Sequence, residues 1–232
     1  MNRAVRPRAP LYGKVLAHIH AERFAGQFAP AFDWLAARVR ESAAHPRLFD
    51  LGCGDGRWLA HAANLKIAGE GIDISPFFIE AAQARGVTAR QDSAASALPP
   101  PGTTAVTALG EVLAYAPAAL APCLRNLSRA LPPGGVVLFD LPGPDTPPGD
   151  NDLGGPGWRM SVQTRIEGVS LTRRIFIETH AGVERETHHQ RLFSPDEALG
   201  IARGFGFEAT LLDSYGPCPL LPGRFAVMAV RA

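Results

Sequence analysis

Leu48-Phe49-Asp50-Leu51-Gly52-Cys53-Gly54-Asp55-Gly56 reads as a buried strand that runs into a loop with glycine at every second position, then into a helix. Glycine belongs in such a loop for two reasons: some of its backbone needs positive φ, and a ligand must come close to the main chain. Several nucleotide folds use a glycine-rich strand–helix turn, so the detail matters. The spacing is GxGxG, and Arg57 stands where a dinucleotide fingerprint needs its third glycine. No Gly-Lys-Ser/Thr ending follows, which excludes a phosphate-cradling P-loop. Asp50 precedes the loop; its charge would repel a pyrophosphate and attract an ammonium group. Cys53 is read as a small loop filler, not a nucleophile.

Two further strand ends carry acidic groups. Gly71-Ile72-Asp73 closes the next strand about 20 residues on, where a carboxylate can accept from both ribose hydroxyls. Asp92-Ser93 closes the third, where Asp92 can meet an adenine amino group or serve an Asx turn. Open α/β sheets bind ligands at the carboxyl ends of their strands. Amine, ribose and adenine would each meet an acidic or polar group there, a set that suits a phosphate-free adenosyl amino acid.

Outward from the loop the chain alternates. Apolar runs predict strands over 47–51, 67–72, 87–90, 105–109 and 136–141, with helices over 57–64, 76–85 and 117–131 between them. This repetition predicts an α/β protein with a doubly wound, mainly parallel sheet covered on both faces. Residues 142–157 are rich in Pro, Gly and Asp and are read as a loop without regular structure. Runs at 159–167, 170–180 and 183–193 then predict an antiparallel meander. Ser194-Pro195-Asp196-Glu197 opens a helix with a capping serine and proline at its first position. Residues 207–214 and 225–231 predict a closing strand pair. Helical spacing of apolar residues over 11–43, broken near Gly26, predicts two helices in front of the main domain. Residues 1–10 are read as a disordered arm.

Phe49-Asp50-Leu51-Gly52-Cys53-Gly54-Asp55-Gly56, Gly71-Ile72-Asp73-Ile74-Ser75 and Arg129-Ala130-Leu131-Pro132-Pro133-Gly134-Gly135 together resemble the class I S-adenosyl-L-methionine (SAM)-dependent methyltransferases. The resemblance spans residues 47–141 at motif level, and the reversed final strand pair extends it to the Rossmann-like seven-stranded methyltransferase fold. It implies SAM as cofactor. By position, Asp50, Gly52, Cys53 and Gly54 would hold the methionine moiety, Asp73 and Ile74 the ribose and adenine face, and Asp92 and Ser93 the adenine edge. Gly110 and Glu111 would face the sulfonium and the acceptor. Many relatives place His in the segment that follows; here Glu111 and Tyr115 are its polar groups, and they are the candidate catalytic residues. Glu111 either orients the acceptor or takes its proton, or is only a helix-start carboxylate favoured by the dipole.

The expected organisation is a helical cap over 1–44 on a SAM-binding domain over 45–232, with a β-rich insertion at about 142–193. Insertions of this kind in glycine N-methyltransferase-like enzymes cover the acceptor pocket or mediate dimer contacts. Along one insertion strand His188 alternates with His189 and Arg191, so His188 faces the side opposite the other two. Trp158, Arg159 and Tyr215 are further candidates, and Tyr12, His18 and His20 either cap the cofactor or, for the two histidines, are ordinary surface or core residues.

Net charge is +1 and no Lys/Arg stripe is interleaved with aromatics, which argues against a nucleic-acid partner. No NPPY-type tetrapeptide follows the fourth strand. The expected partner is a small-molecule acceptor, for a monomer or homodimer. The histidines are not clustered at metal-ligand spacing, so no metal is expected. Three scattered cysteines fit a reducing, cytoplasmic setting, and no run approaches the roughly 18 apolar residues a membrane crossing needs. Two rivals stand beside a methyltransferase that works by in-line displacement. One is a non-catalytic SAM-binding regulatory module; the other is an NAD-type Rossmann oxidoreductase, which would require GxGxxG.

Overall fold

The structure, a computed structural model, describes residues 11–24, 26–115 and 119–232. Helix α1 (Lys14–Arg23), a 3-10 turn (Ala29–Ala31) and α2 (Phe32–Glu41) precede the sheet. The alternating part follows as β1 (Arg47–Leu51), α3 (Arg57–Asn64), β2 (Ala68–Asp73), α4 (Pro76–Ala84), β3 (Ala89–Gln91), β4 (Ala105–Ala108), α5 (Leu120–Ala130) and β5 (Val136–Pro142). A second group of strands comes next: β6 (Gly149–Gly155), β7 (Trp158–Glu167), β8 (Ser170–Thr179) and β9 (Gly182–Arg191). The chain ends with α6 (Pro195–Gly204), β10 (Phe207–Leu212), the short pair β11 (Ser214–Tyr215) and β12 (Cys218–Pro219), and β13 (Arg224–Arg231).

The main sheet has seven strands in the order β10-β13-β5-β4-β1-β2-β3. Strands β1 to β5 pair in parallel, and β13 runs antiparallel to both β5 and β10. Alternation along β1 explains why both faces need cover. Phe49 and Leu51 pack with α5 and α6 on one side, while Leu48 packs with α2 and α3 on the other. Each such fully buried side chain contributes about 2 kcal/mol of transfer free energy. The predicted α/β sheet and reversed final pair are thus present, and β1 and α3 have the predicted bounds.

The second sheet is an antiparallel meander in the order β6-β7-β8-β9. It corrects one reading: the supposed loop over 142–157 contains β6, which pairs residue for residue with β7 from Gly149↔Thr164 to Gly155↔Trp158. An edge strand needs only one partner, so breaker-rich sequence is tolerated there. Trp158, Met160, Ile175 and Ile177 of this sheet bury themselves against Leu16 and Ile19 of α1, which ties α1 beneath it. Residues 1–10, read as an arm, and 116–118, of which 117 and 118 are read as the start of a helix, lie outside the described residues.

Candidate active site

The carboxyl ends of β1, β2 and β4 open into one cavity of about 780 Å³, within the usual range for ligand sites. The eleven residues assigned to cofactor and catalysis from sequence all line it: Asp50, Gly52, Cys53, Gly54, Asp73, Ile74, Asp92, Ser93, Gly110, Glu111 and Tyr115. At one end is the glycine loop. Gly52 has φ +69° and its missing Cβ would lie 2.4 Å from Val112 Cγ2, so the loop packs where no side chain fits. Gly54 has φ +54° and nothing lies within 4 Å of its Cβ position, which leaves bare backbone against open cavity space. That is the cradle a close-fitting ligand requires.

The acids around this cradle are held in defined positions. Asp50 stands opposite Thr107 in the β1–β4 pair and accepts from its hydroxyl at 2.6 Å. Trp58 Nε1 donates in turn to Thr107 Oγ1 at 3.1 Å. Burial pushes the Asp50 carboxyl up to about 7, against the Thr107 hydrogen bond. Asp73 accepts from Gly54 N at 3.0 Å and Ser75 N at 2.9 Å, and burial raises it to about 6. Two buried carboxyls with raised values beside a bare backbone turn form a site that gains from a cationic, hydroxyl-bearing ligand. Asp92 and Ser93 are half-buried at the rim, with Ser93 N donating to Asp92 Oδ1 at 2.7 Å. Ile74 is 46% exposed, an apolar surface next to Asp73. Burial drives the Cys53 thiol far up, which fits a filler and not a nucleophile.

The other end of the cavity is built from β4, β8, β9, β13 and the N-terminal segment. Gly110 (φ +89°) and Glu111 (φ +64°) turn left-handed in succession, and Asp140 Oδ1 and Oδ2 accept from their N–H groups at 2.7 and 3.0 Å. Glu111 is buried in a charge cluster: Arg224 Nε and Arg173 each donate to it at 2.8 Å, and Gln190 Nε2 at 3.1 Å. Burial alone would raise its carboxyl; Arg224 and Arg173 outweigh that and hold it below the ordinary range. Among the described residues only Tyr12, Lys66 and Glu111 combine a side chain with positive φ, and two of these three line the cavity. Strain of this kind costs about 1–3 kcal/mol and concentrates at functional sites.

Tyr12 lines the cavity. Its carbonyl accepts from Ser75 Oγ at 2.7 Å, and its N–H donates to Glu186 Oε2 at 2.9 Å. Its hydroxyl meets that of Tyr115 at 3.0 Å, and Tyr115 Oη lies 3.3 Å from His188 Nδ1. His188 lies on the side of β9 opposite His189 and Arg191, as alternation requires; that side is the buried one and lines the cavity, whereas His189 and Arg191 lie against Thr172 and Glu197. His20 lines the cavity and burial lowers it to about 4; His18 pairs with Glu22 at the surface instead. Trp158, Arg159 and Tyr215 do not line the cavity, and Tyr215 donates to Asp140 Oδ1 at 3.2 Å. Sequence reasoning missed Arg173, Glu186 and Arg224. A signal existed for the first: Arg173 interrupts the apolar face Leu171, Ile175, Ile177 of β8.

A family model described as a methyltransferase domain matches residues 19–212. No curated protein sequence matches the chain. Among solved structures the chain is similar to an S-adenosylmethionine-dependent methyltransferase from Clostridium acetobutylicum, at 14% identity and TM-score 0.78, covering 94% of this chain and 98% of that one. It is also similar to the sugar N-methyltransferase KedS8 from Streptoalloteichus, at 23% identity and TM-score 0.76, covering 100% and 97%. The amino pentose methyltransferase CalS10 from Micromonospora echinaspora aligns at 22% identity and TM-score 0.71, covering 96% and 98%. With the family model across most of its length, the glycine loop between β1 and α3, and the seven-stranded sheet with its reversed final pair, the chain belongs to the class I SAM-dependent methyltransferases.

Proposed function

We propose that the enzyme transfers the methyl group of SAM by in-line displacement to the nitrogen of a small-molecule amine. The observation that carries this reading is the continuity of one cavity, from the acid-lined glycine loop to the aromatic and cationic end under the second sheet. A cavity of that size beneath a sheet suits a small acceptor better than a polymer strand. The choice of nitrogen draws on two similar structures whose names specify a sugar N-methyltransferase and an amino pentose methyltransferase.

The bound cofactor supplies an activated methyl group on a sulfonium. Asp50, Gly52, Cys53 and Gly54 would hold its methionine end, with the Asp50 carboxylate against the ammonium. Asp73 would take the ribose hydroxyls and Ile74 the adenine face, with Asp92 and Ser93 at the adenine edge. Gly110 borders the reacting centre. Displacement creates little new charge, so positioning contributes most of the acceleration. Glu111 serves that positioning and is a poor base: its carboxylate already neutralises Arg173 and Arg224, which lowers its proton affinity. Tyr115 is the polar group that meets the acceptor.

The test is conversion of SAM to S-adenosylhomocysteine (SAH), followed by mass spectrometry, with matched panels of small primary amines and alcohols. Turnover confined to amines is the expected result. Turnover confined to alcohols would move the acceptor atom to oxygen, and SAH binding without any turnover would sink the catalytic reading of this pocket.

A further inference from the structure

Four groups outside the cofactor end form a closed polar circuit that methyl transfer by positioning alone does not use. Tyr12 Oη meets Tyr115 Oη, Tyr115 Oη meets His188 Nδ1, and His188 Nε2 lies 2.9 Å from Glu186 Oε2. Glu186 closes the circuit by accepting from Tyr12 N at 2.9 Å and Gly13 N at 2.8 Å. The side chains of His188 and Glu186 are only 2% and 7% exposed. They lie on the inner face of β9, where Glu186 stands beside Ile175 and the wall continues through Met160 and Ile177. Two ionisable groups buried on a face shared with Arg173 and Gln190 cost stability, and such clusters concentrate at functional sites.

We infer that Tyr115, His188 and Glu186 form a proton relay for the acceptor, in which Tyr115 touches the amine, His188 takes the proton through it, and Glu186 sets the tautomer of His188. The inference rests on the methyl-transfer reading of the cavity. Its geometric basis is donor counting. Both Glu186 oxygens accept backbone N–H groups, the geometry of an acceptor, and the inference assigns the hydrogen shared with His188 to the ring nitrogen that faces it. That arrangement leaves Nδ1 bare toward Tyr115. Burial pushes both Tyr12 and Tyr115 upward, so each stays a phenol that passes a proton instead of holding one. The other charged and titratable groups facing His188 are Arg173, its partner in the β8–β9 register, then Glu111 bound to Arg173, and His20 across the cavity.

The step balances. The acceptor nitrogen's lone pair forms the bond to the methyl carbon as the carbon–sulfur bond breaks, and that electron pair stays on sulfur, giving a neutral thioether. The nitrogen's proton passes to Tyr115 Oη as the phenolic proton moves to His188 Nδ1. The imidazolium so formed faces the Glu186 carboxylate, the role a carboxylate plays behind any histidine base.

The experiment reads tautomers directly. Protein labelled with 15N-histidine and saturated with SAH is studied by long-range 15N–1H NMR at about pH 8, with His188 assigned by the signal lost in His188→Asn. The expected result is an Nε2–H tautomer. Tyr115→Phe should keep that tautomer while moving Nδ1 toward the position of an unbonded nitrogen, and Glu186→Gln should populate the Nδ1–H form. An imidazolium or Nδ1–H ring in the wild-type complex overturns the relay, as does a Glu186→Gln spectrum identical to wild type. SAH binding is measured on the same sample: its absence condemns the site assignment itself, a different failure from a wrong tautomer in a loaded site. In the amine assay, His188→Asn should lower kcat about 100-fold and flatten its pH dependence, with KM for SAM held within about twofold. A wild-type kcat profile in that variant overturns the relay.

Discussion

At the scale of single residues, Asp50 ties the cofactor site to pH. Its carboxyl, lifted by burial to about 7, is largely protonated in the empty pocket at mildly acidic pH. An ammonium ligand requires the ionised form. Binding of SAH should therefore release a proton and tighten as pH rises, by about eightfold in Kd from pH 6 to pH 7.5 by linkage. Calorimetry in buffers of different ionisation heat checks both the slope and the proton count. Asp50→Asn should flatten the slope and weaken binding at the upper pH, and an unchanged slope would mean that Asp50 does not face the amine. Glu111 is the opposite case, a carboxylate already satisfied by two guanidinium groups. Glu111→Gln leaves Arg173 without its carboxylate partner and Arg224 with Asp140 alone, at a cost of about 3 kcal/mol. Thermal unfolding should show the loss, together with a fall in turnover.

At the scale of elements, the glycine loop works because β1 delivers it into a turn already packed from above. Gly52→Ala would drive a methyl group into Val112 at a left-handed position, costing about 1–3 kcal/mol and displacing the 3-10 turn that carries Val112. A urea midpoint lowered to match, with SAH affinity reduced, is the expected outcome. This part of the molecule was legible in the sequence because its determinants are local. Strand β1, the loop and α3 are contiguous, and the acids at the ends of β1 and β2 follow from strand periodicity. The other end was less legible. Gly149-Asp150-Asn151-Asp152 has the composition of a loop and becomes β6 only because β7 supplies its partners. Tyr12 and Glu186 are 174 positions apart, and no spacing rule links them. Arg224 reaches Glu111 from the last strand across 113 positions. What alternation did reveal was the side of β9 on which His188 lies; its partners come from other elements.

At the scale of the whole molecule, two sheets and α1 enclose one site, and a ligand seated there touches all three. Saturating SAH at about 100 times its Kd adds about 2.7 kcal/mol to stability, which for a chain of this length raises Tm by about 5–10 °C. Differential scanning fluorimetry should show that shift with SAH and none with NAD; the reverse would point to a dinucleotide fold. No helix among the described residues is long and apolar enough to cross a membrane. Tyr12 is fastened on both sides, to Ser75 at the start of α4 and to Glu186 on the second sheet. A buckle held on both sides links the two halves of the cavity wall, and if the nucleoside enters before the amine and leaves after the methylated product, product inhibition by SAH is competitive toward SAM alone.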